Sequence, residues 1–162
     1  MFIVRKLKAQ DRLVFTNVFS QTVNEEFPEY TIKTKKYFGE EIYIKKQFVG
    51  NTIFGTFDGE KLVGFLVANE PFGGILFIPW IMVIKDYQRK GIGTILLEKI
   101  EEYARKEGVH SIHLETYDRD LEYYKKREYK EYGFDKNSYF GADAYLMKKE
   151  IQEPKEKNYL KY

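Results

Sequence analysis

The segment from Ile81 to Gly108 constrains the fold of this chain more than any other. It begins with a short apolar run typical of a buried strand, passes through a loop with two glycines, and continues as a long amphipathic stretch. The apolar residues of that stretch recur at helical spacing: Ile92, Ile95, Leu96, Ile100, Tyr103 and Ala104. The pattern therefore predicts a strand, a loop and a helix over residues 91–106, with Gly108 just past the helix end.

The predicted helix begins with an unusual charge pattern. A helix N-terminus carries partial positive charge and normally attracts acidic side chains, yet no acid occurs between Asp86 and Glu98. Polar and basic side chains precede the first turn instead: Gln88, Arg89 and Lys90. Because Gly91 and Gly93 have no Cβ, a ligand can approach the backbone amides closely. Together these features predict a phosphate or pyrophosphate site at the helix N-terminus.

Two common phosphate-binding motifs do not fit this loop. A P-loop requires a Gly-Lys-Ser/Thr triplet that is absent at the right spacing, and Leu96 replaces the third glycine of a dinucleotide fingerprint. The glycines alone leave one alternative open, which is a glycine turn that only starts a helix.

The rest of the chain alternates strand and helix patterns. The other predicted strands cover residues 2–8, 52–57, 61–69, 75–84, 111–116, a strand starting at 129–132, and 144–149. The other predicted helices cover residues 12–26, the ambiguous segment 31–48, and 121–127. The Asp58-Gly59 pair predicts a tight hairpin. This order predicts an α/β (α+β) fold with a twisted, mixed but mostly antiparallel sheet of about six to seven strands and about four helices.

Two local features of this pattern make further predictions. Asp11 is the predicted cap of the first helix. The residues predicted to form the apolar face of that helix are Leu13, Val14, Val18 and Phe19. Pro79 has no N–H to donate to a sheet ladder, so strand pairing should break near it and leave backbone groups free for a ligand. A proline on a simple edge strand is the alternative.

Length and composition exclude several kinds of protein. The 162 residues fit one domain, predicted over 1–150, followed by a charged C-terminal tail over 151–162. The absence of cysteine excludes disulfides, cysteine-ligated zinc and thiol nucleophiles. His110 and His113 lack the partners that a metal site needs, so no metal is expected. A net charge of +2 and the lack of a long apolar run predict a cytoplasmic protein with neither a nucleic-acid nor a membrane partner.

The run VIKDYQRKGIGT, which ends at Thr94, resembles motif A of the GNAT (GCN5-related N-acetyltransferase) superfamily. The family signature Q/R-x-x-G-x-G/A falls on Gln88, Gly91 and Gly93. As in the family, the signature follows an apolar strand and opens an amphipathic helix. The resemblance implies the GNAT fold, splayed between its fourth and fifth strands, and acetyl-CoA as the co-substrate.

The resemblance also implies which residues bind acetyl-CoA. The amides of residues 89–94 would bind the pyrophosphate, and the backbone of residues 81–83 would bind the pantetheine arm and the thioester. The implied cofactor-binding residues are Ile81, Met82, Val83, Gln88, Arg89, Lys90, Gly91, Ile92, Gly93 and Thr94. Lys85 departs from the family pattern, because members usually have proline at this position.

A second block, residues 123–134, resembles the family's motif B, typically F-Y-x-K-x-G-F. The matching residues are Tyr124, Lys126 and Tyr129. Glu128 stands where glycine is usual. The resemblance implies that Tyr124 is the general acid that protonates the leaving thiolate. A tyrosine that only packs the short helix is the alternative, and the adjacent Tyr123 is the natural control.

The general base and the oxyanion donor have candidates on neighbouring strands. Glu115, in the run HLET, resembles the catalytic glutamate of ribosomal-protein alanine acetyltransferases and is the candidate base. A solvated glutamate on a strand edge is the alternative, and a water chain would then deprotonate the amine. A backbone N–H near Met82 or Val83 is the candidate oxyanion donor.

The predicted acceptor is a primary amine on a small molecule, a peptide or protein N-terminus, or a lysine side chain. The family's acceptor loops correspond to residues 25–38 and 134–142, and the first combines acids and aromatics that would suit a cationic amine. Trp80 either lines the pocket where the acceptor amine would meet the thioester or fills the core. A non-catalytic acyl-CoA sensor of the same fold and an interaction protein with an accidental glycine turn are the alternatives. The resemblance also allows a homodimer.

Overall fold

The computed structural model describes residues 1–155, which form eight strands and five α-helices. The strands are β1 (Phe2–Lys6), β2 (Asn51–Asp58), β3 (Lys61–Asn69), β4 (Ile75–Ile78), β5 (Trp80–Val83), β6 (Ser111–Thr116), β7 (Lys130–Asp135) and β8 (Ala144–Glu150). The helices are α1 (Arg12–Glu26), α2 (Ile32–Gly39), α3 (Glu41–Gln47), α4 (Ile92–Lys106) and α5 (Asp118–Lys125). Within residues 1–155 no helix is long and apolar enough to cross a membrane. Residues 156–162 of the predicted tail lie outside the described part.

The chain divides into two compact units, each with its own four-stranded sheet. The first unit comprises Met1–Glu70 and Trp80–Ile100. Its sheet has the strand order β1-β2-β3-β5 and is antiparallel throughout. The β2–β3 hairpin closes between Asp58 and Lys61, as the sequence predicts. That residues 1–150 form one domain remains a prediction.

The second unit comprises Pro71–Pro79 and, among the described residues, 101–155. Its sheet has the strand order β4-β6-β8-β7. β4 runs parallel to β6, whereas the other two pairings are antiparallel. The predicted mixed but mostly antiparallel α/β fold is therefore confirmed.

Two predicted elements are each divided into two in the structure. Pro79 separates β4 from β5, and the two strands pair with different partners, β6 and β3 respectively. The predicted break in pairing at Pro79 is thus confirmed, and β4 and β5 belong to different sheets. The segment 31–48 forms two short helices, α2 and α3, which meet at Glu40.

The first helix has the predicted ends, and its buried face matches the prediction in part, since Val18 and Phe19 are buried. Leu13 and Val14 were predicted to be buried, and they are 73% and 40% exposed. The buried apolar positions are Phe15, Val18, Phe19 and Val23. The rings of Phe15 and Phe19 lie 4.9 and 5.5 Å from Phe65 of β3. Burying two aromatic rings against a third outweighs burying Leu13 and Val14, because aromatic side chains bury the largest apolar areas.

The predicted capping role of Asp11 is wrong. Asp11 precedes α1, but its side chain makes no capping hydrogen bond. It ends a 3-10 turn with helical backbone angles, so its carboxylate faces backwards along the chain. There it accepts hydrogen bonds from the guanidinium of Arg5, at 2.7 and 2.8 Å, and from the amide of Lys8 at 2.8 Å. These bonds, chiefly that from Arg5, lower the pKa of Asp11 to about 2.

A glycine in β3 brings the start of α4 close to the first sheet. A Cβ on Gly64 would lie 3.0 Å from Cγ2 of Ile92 and 3.1 Å from the carbonyl oxygen of Met82. Only a residue without a side chain allows this approach. The end of β5 and the first residue of α4 are thereby held over the same position in β3.

Candidate functional site

The loop over residues 84–91 joins β5 to α4. We call it the donor loop because the resemblance assigns its last four residues, 88–91, to acetyl-CoA. Its backbone is left-handed at Arg89, with φ of 58°, and at Gly91, with φ of 82°. A left-handed residue other than glycine costs about 1–2 kcal/mol, so Arg89 adopts this conformation only because its surroundings impose it. Turns of this kind direct backbone amides to one side, where they can bind an anion.

The first turn of α4 contains no acidic side chain of its own. Gly91 is the N-cap, since the Ile95 amide donates to its carbonyl oxygen at 3.0 Å. Glycine has no side chain that could accept hydrogen bonds from the first-turn amides, and that turn contains no acid. A Cβ on Gly91 would meet no heavy atom within 4 Å, so the space beside the cap is open. This arrangement suits a negatively charged ligand.

The ring of Tyr87, in the donor loop, lies close to the ammonium groups of two lysines. Nζ of Lys61 and Nζ of Lys90 lie 5.1 and 4.8 Å from the centre of its ring. Its hydroxyl donates to Asp58 at 3.0 Å, and this hydrogen bond raises the pKa of Tyr87. Lys61 was not predicted as a site residue, because nothing in the sequence indicates that the start of β3 lies beside this loop.

β5 is the edge strand of the first sheet, and its backbone has two unlike sides. The amide of Ile84 donates to the carbonyl oxygen of Val63 at 3.0 Å, which fixes the alternation of the ladder with β3. In an antiparallel pair every second residue bonds to the neighbour, so Met82 bonds to β3 while Ile81 and Val83 point away. Of the two predicted oxyanion donors, Val83 is thus the one whose N–H faces the open edge.

The predicted binding residue Gln88 braces the donor loop with its side chain. Its amide nitrogen donates to the carbonyl oxygen of Val83 at 3.1 Å and also to the carboxylate of Glu26. The neighbouring Glu25 carboxylate accepts a hydrogen bond from the backbone amide of Lys85 at 2.9 Å. The last turn of α1 is therefore bonded to the donor loop, a connection that the sequence did not predict.

Trp80 lies in an aromatic cluster of the first unit. Its ring makes edge contacts with those of Phe19, Phe27 and Phe38, at centroid distances of 5.1, 6.4 and 5.4 Å. Its indole N–H donates to the Tyr43 hydroxyl at 3.1 Å, and burial raises the pKa of Tyr43 to about 12. Phe27 belongs to the first predicted acceptor loop, so Trp80 packs against that loop while it also contributes to the core.

The predicted general acid Tyr124 lies in the second unit on the buried side of α5. Its ring makes edge contacts with Tyr123 and Tyr129, at 5.1 and 5.8 Å between centroids. Burial raises the pKa of Tyr124. The hydroxyl therefore stays protonated across the ordinary pH range, which is the state that a general acid requires.

The predicted base Glu115 lies on β6, also in the second unit. Its Oε2 atom accepts a hydrogen bond from the Ser138 hydroxyl at 3.0 Å, within the second predicted acceptor loop. The amide of Ser138 donates to the carbonyl oxygen of Ala142 at 2.8 Å, which closes that loop on itself. The orientation of Glu115 is thus tied to the loop between β7 and β8.

The candidate residues fall into two groups. The donor residues over 81–94 lie in the first unit, and Tyr124 and Glu115 lie in the second. Among residues 1–155 no cluster of three or more histidine, aspartate or glutamate side chains could hold a metal ion.

Comparisons with known proteins relate this arrangement to acetyltransferases. The chain is 32% identical over 76 residues to streptothricin acetyltransferase A from Bacillus subtilis (strain 168), a match covering 47% of this chain and 43% of that protein. The match thus spans under half of the relative's length.

Solved structures match over nearly the whole chain. The PaiA N-acetyltransferase from Thermoplasma acidophilum, in complex with coenzyme A, has a TM-score of 0.79 at 20% identity, covering 93% of this chain and 99% of that one. The ribosomal-protein-S18-alanine N-acetyltransferase from Escherichia coli has a TM-score of 0.76 at 22% identity, covering 98% and 99%. At these identities the likeness establishes the fold.

The family is established by sequence. The model of the acetyltransferase (GNAT) family matches residues 18–129, which is more than half of the chain and includes the donor loop, Glu115 and Tyr124. The chain belongs to the GNAT acetyltransferase family.

Proposed function

We propose that this protein transfers the acetyl group of acetyl-CoA to a primary amine. The observation that carries the proposal is the start of α4. There Arg89 is left-handed, glycine is the N-cap, the first turn contains no acid, and the space beside the Cα of Gly91 is open. Such a site suits the pyrophosphate of coenzyme A, and the relative from Thermoplasma acidophilum binds coenzyme A.

The reaction requires a neutral amine, a stabilised oxyanion and a proton for the leaving group. The amine nitrogen attacks the thioester carbonyl carbon, the carbon–sulfur bond breaks, and the products are an amide and free coenzyme A. The outward N–H of Val83 would stabilise the oxyanion, and a donor of this kind is worth roughly 2.7–4 kcal/mol. Because β5 is held by its ladder with β3, this N–H needs no reorganisation during the reaction.

Tyr124 would supply the proton to the leaving sulfur. Its hydroxyl is protonated at neutral pH, as that of an ordinary tyrosine already is. Glu115 would accept the proton from the attacking amine, directly or through water, and Ser138 would hold its carboxylate in place. The proposal requires that both groups reach the reacting atoms when the two substrates are bound.

The acceptor classes to test follow from the relatives. Their names point to streptothricin, to aminoglycosides and to an alanine of the ribosomal protein S18. All of these carry a primary amine, and an amine acceptor is the class that we propose for this chain. A cytoplasmic location and a homodimer remain predictions.

The direct test is acetyl-CoA-dependent release of free thiol in the presence of an acceptor panel. The panel contains streptothricin, an aminoglycoside, a peptide with N-terminal alanine, and a polyamine. The protein contains no cysteine, so a colorimetric thiol reagent detects only released coenzyme A. We expect thiol release that depends on both substrates and that is strongly reduced in Tyr124→Phe.

Two other outcomes would change the proposal. Tight acetyl-CoA binding without turnover on any acceptor would favour a non-catalytic acyl-CoA sensor of the same fold. No binding of acetyl-CoA by the folded protein would refute the donor site and, with it, the assignment of catalytic residues.

A further inference from the structure

The last turn of α1 carries two adjacent acids, Glu25 and Glu26, and no basic residue. The C-terminal end of a helix has partial negative charge, so acids there lower helix stability and cations are normally preferred. Two acids in this position require a compensating interaction. The structure supplies it in the hydrogen bonds from the donor loop.

The donor loop contains a 3-10 turn, Lys85–Tyr87. The hydrogen bonds that Glu25 and Glu26 accept reach the two ends of this turn. Glu25 accepts from the amide of Lys85, the first residue of the turn, and Glu26 accepts from the side chain of Gln88, the residue that follows it. The first amides of a helical turn have no partner within it. The Lys85 amide therefore depends on Glu25 for its hydrogen bond.

Gln88 extends the connection to the edge of β5. The same side-chain nitrogen that donates to Glu26 also donates to the outward carbonyl oxygen of Val83, at 3.1 Å. The N–H of Val83 is the candidate oxyanion donor, and its carbonyl oxygen is thus bonded to the Gln88 side chain, which Glu26 of α1 also binds. A displacement of the end of α1 would therefore also displace the backbone at Val83.

On its other side, the α1 end leads directly into the first acceptor loop. Phe27 follows Glu26, stacks on Tyr30 at 4.7 Å between ring centroids, and contacts the ring of Trp80. We call residues 27–31 the acceptor segment. The donor loop and the acceptor segment are therefore attached to the same helix turn from opposite sides.

We propose that Glu25 and Glu26 are positioning residues that couple the donor loop to the acceptor segment, so that acetyl-CoA binding orders the segment that receives the amine. The inference rests on the proposed function, because it assumes that acetyl-CoA binds at the donor loop. By linkage, an amine bound at the acceptor segment would also tighten acetyl-CoA binding.

Hydrogen exchange measured by mass spectrometry on the full chain, with and without acetyl-CoA, tests the coupling without a known acceptor. In the wild type we expect slower exchange at residues 85–94 and also in peptides covering residues 23–31. One exposed hydrogen bond contributes about 0.5–1.5 kcal/mol, so the slowing at residues 23–31 should be about two- to tenfold.

Lys85→Pro removes the critical N–H without touching either glutamate. Position 85 opens a helical turn, where proline is well tolerated. Ile84 has φ of −59° and ψ of 143°, the extended conformation that a residue before proline requires. Lys85→Ala is the matched control, because it keeps the N–H and loses only the side chain. Glu26→Ala tests the second contact, with Glu29→Ala as a control acid in the same segment.

The expected result is that Lys85→Pro and Glu26→Ala keep protection at residues 89–94 and lose most of it at residues 23–31, while both controls behave as wild type. Protection at residues 85–94 with no change at residues 23–31 in the wild type would refute the coupling and leave the proposed function intact. Unchanged protection at 23–31 in the double variant Lys85→Pro/Glu26→Ala would refute the assignment to these residues. No acetyl-CoA binding by the wild type would refute both proposals.

Discussion

Replacing Tyr124 by phenylalanine tests the role of its hydroxyl with little change to packing. The ring is buried and makes edge contacts with Tyr123 and Tyr129, and phenylalanine preserves both contacts. Only the proton donor is lost. Proton transfer by a positioned side chain contributes about 10²–10⁴-fold, or about 3–5 kcal/mol of transition-state stabilisation. We expect kcat to fall by about that factor.

Tyr129→Phe is the matched control. Tyr129 is also buried, its pKa is also raised by burial, and its hydroxyl has no hydrogen-bond partner within the described residues. Removing an unsatisfied buried hydroxyl should leave the free energy of unfolding unchanged or raise it by about 1 kcal/mol. We expect kcat close to that of the wild type.

The assay is steady-state thiol release at saturating acceptor, with calorimetry to measure the Kd of acetyl-CoA for each variant. A general acid acts in the transition state, so Tyr124→Phe should lower kcat while the Kd of acetyl-CoA stays near the wild-type value. Wild-type kcat in Tyr124→Phe would refute the assignment. An equal loss in Tyr129→Phe would show that the packing of this tyrosine cluster matters, and not one hydroxyl.

Two predictions concern stability. Because the pKa of Asp11 is lowered from 3.8 to about 2, its stabilising contribution is present above pH 3.8 and is lost as the pH falls through about 2. Because the Arg5 side chain is 45% exposed, we expect this contribution to the free energy of unfolding to be about 1 kcal/mol. Asp11→Asn should lack it, so the same dependence of the unfolding free energy on pH in the wild type and in Asp11→Asn would contradict this prediction. Lys149→Met should destabilise by about 2 kcal/mol in denaturant unfolding, because it removes the ammonium 3.0 Å from the buried Glu101 carboxylate and leaves the guanidinium of Arg105, 3.7 Å away, as the partner of Glu101. The double variant Glu101→Gln/Lys149→Met should recover part of that loss, and a double variant less stable than the single one would contradict the argument.

The sequence predicted the elements whose signals are local. The ends of α1 and α4, the β2–β3 hairpin and the break at Pro79 all follow from spacing, glycine and proline within a few residues. The donor loop was predictable for the same reason. An acid-free helix start after Arg89 and Gly91 is visible without a structure.

The sequence could not predict contacts that connect distant segments. Glu25 bonds to Lys85 and Glu26 to Gln88 across about 60 residues of chain, and no periodic pattern links them. The predicted acidic rim for an amine therefore proved to hold the donor loop. The buried face of α1 was predicted only in part for the same reason. Val18 and Phe19 are buried as predicted, but Phe15 is also buried through its contacts with Phe48 and Phe65, which lie far away in the sequence.

Asp11 shows how one local rule can override another. A carboxylate just before a helix predicts a cap, but Arg5 and the amide of Lys8 bind it from behind. The charge of the guanidinium makes the two bonds from Arg5 stronger than a cap to neutral amides. The backbone of the 3-10 turn before α1 then keeps the side chain turned away from the helix.

The central claim is that the start of α4 binds the pyrophosphate of acetyl-CoA, and calorimetric titration with acetyl-CoA tests it most directly. The wild type is compared with Gly91→Glu and Gly91→Gln. Both variants place an L-residue at φ of 82° and share the backbone strain, and a Cβ there meets no heavy atom within 4 Å. The difference between them is therefore the negative charge of the glutamate.

A carboxylate near the pyrophosphate at a surface site costs about 1–4 kcal/mol, and solvent exposure places the expected value near 2 kcal/mol. We predict that wild type binds acetyl-CoA and that Gly91→Glu binds about 30-fold more weakly than Gly91→Gln. Equal affinities of the two variants, or no binding by the folded wild type, would contradict the claim that this helix start is the donor site.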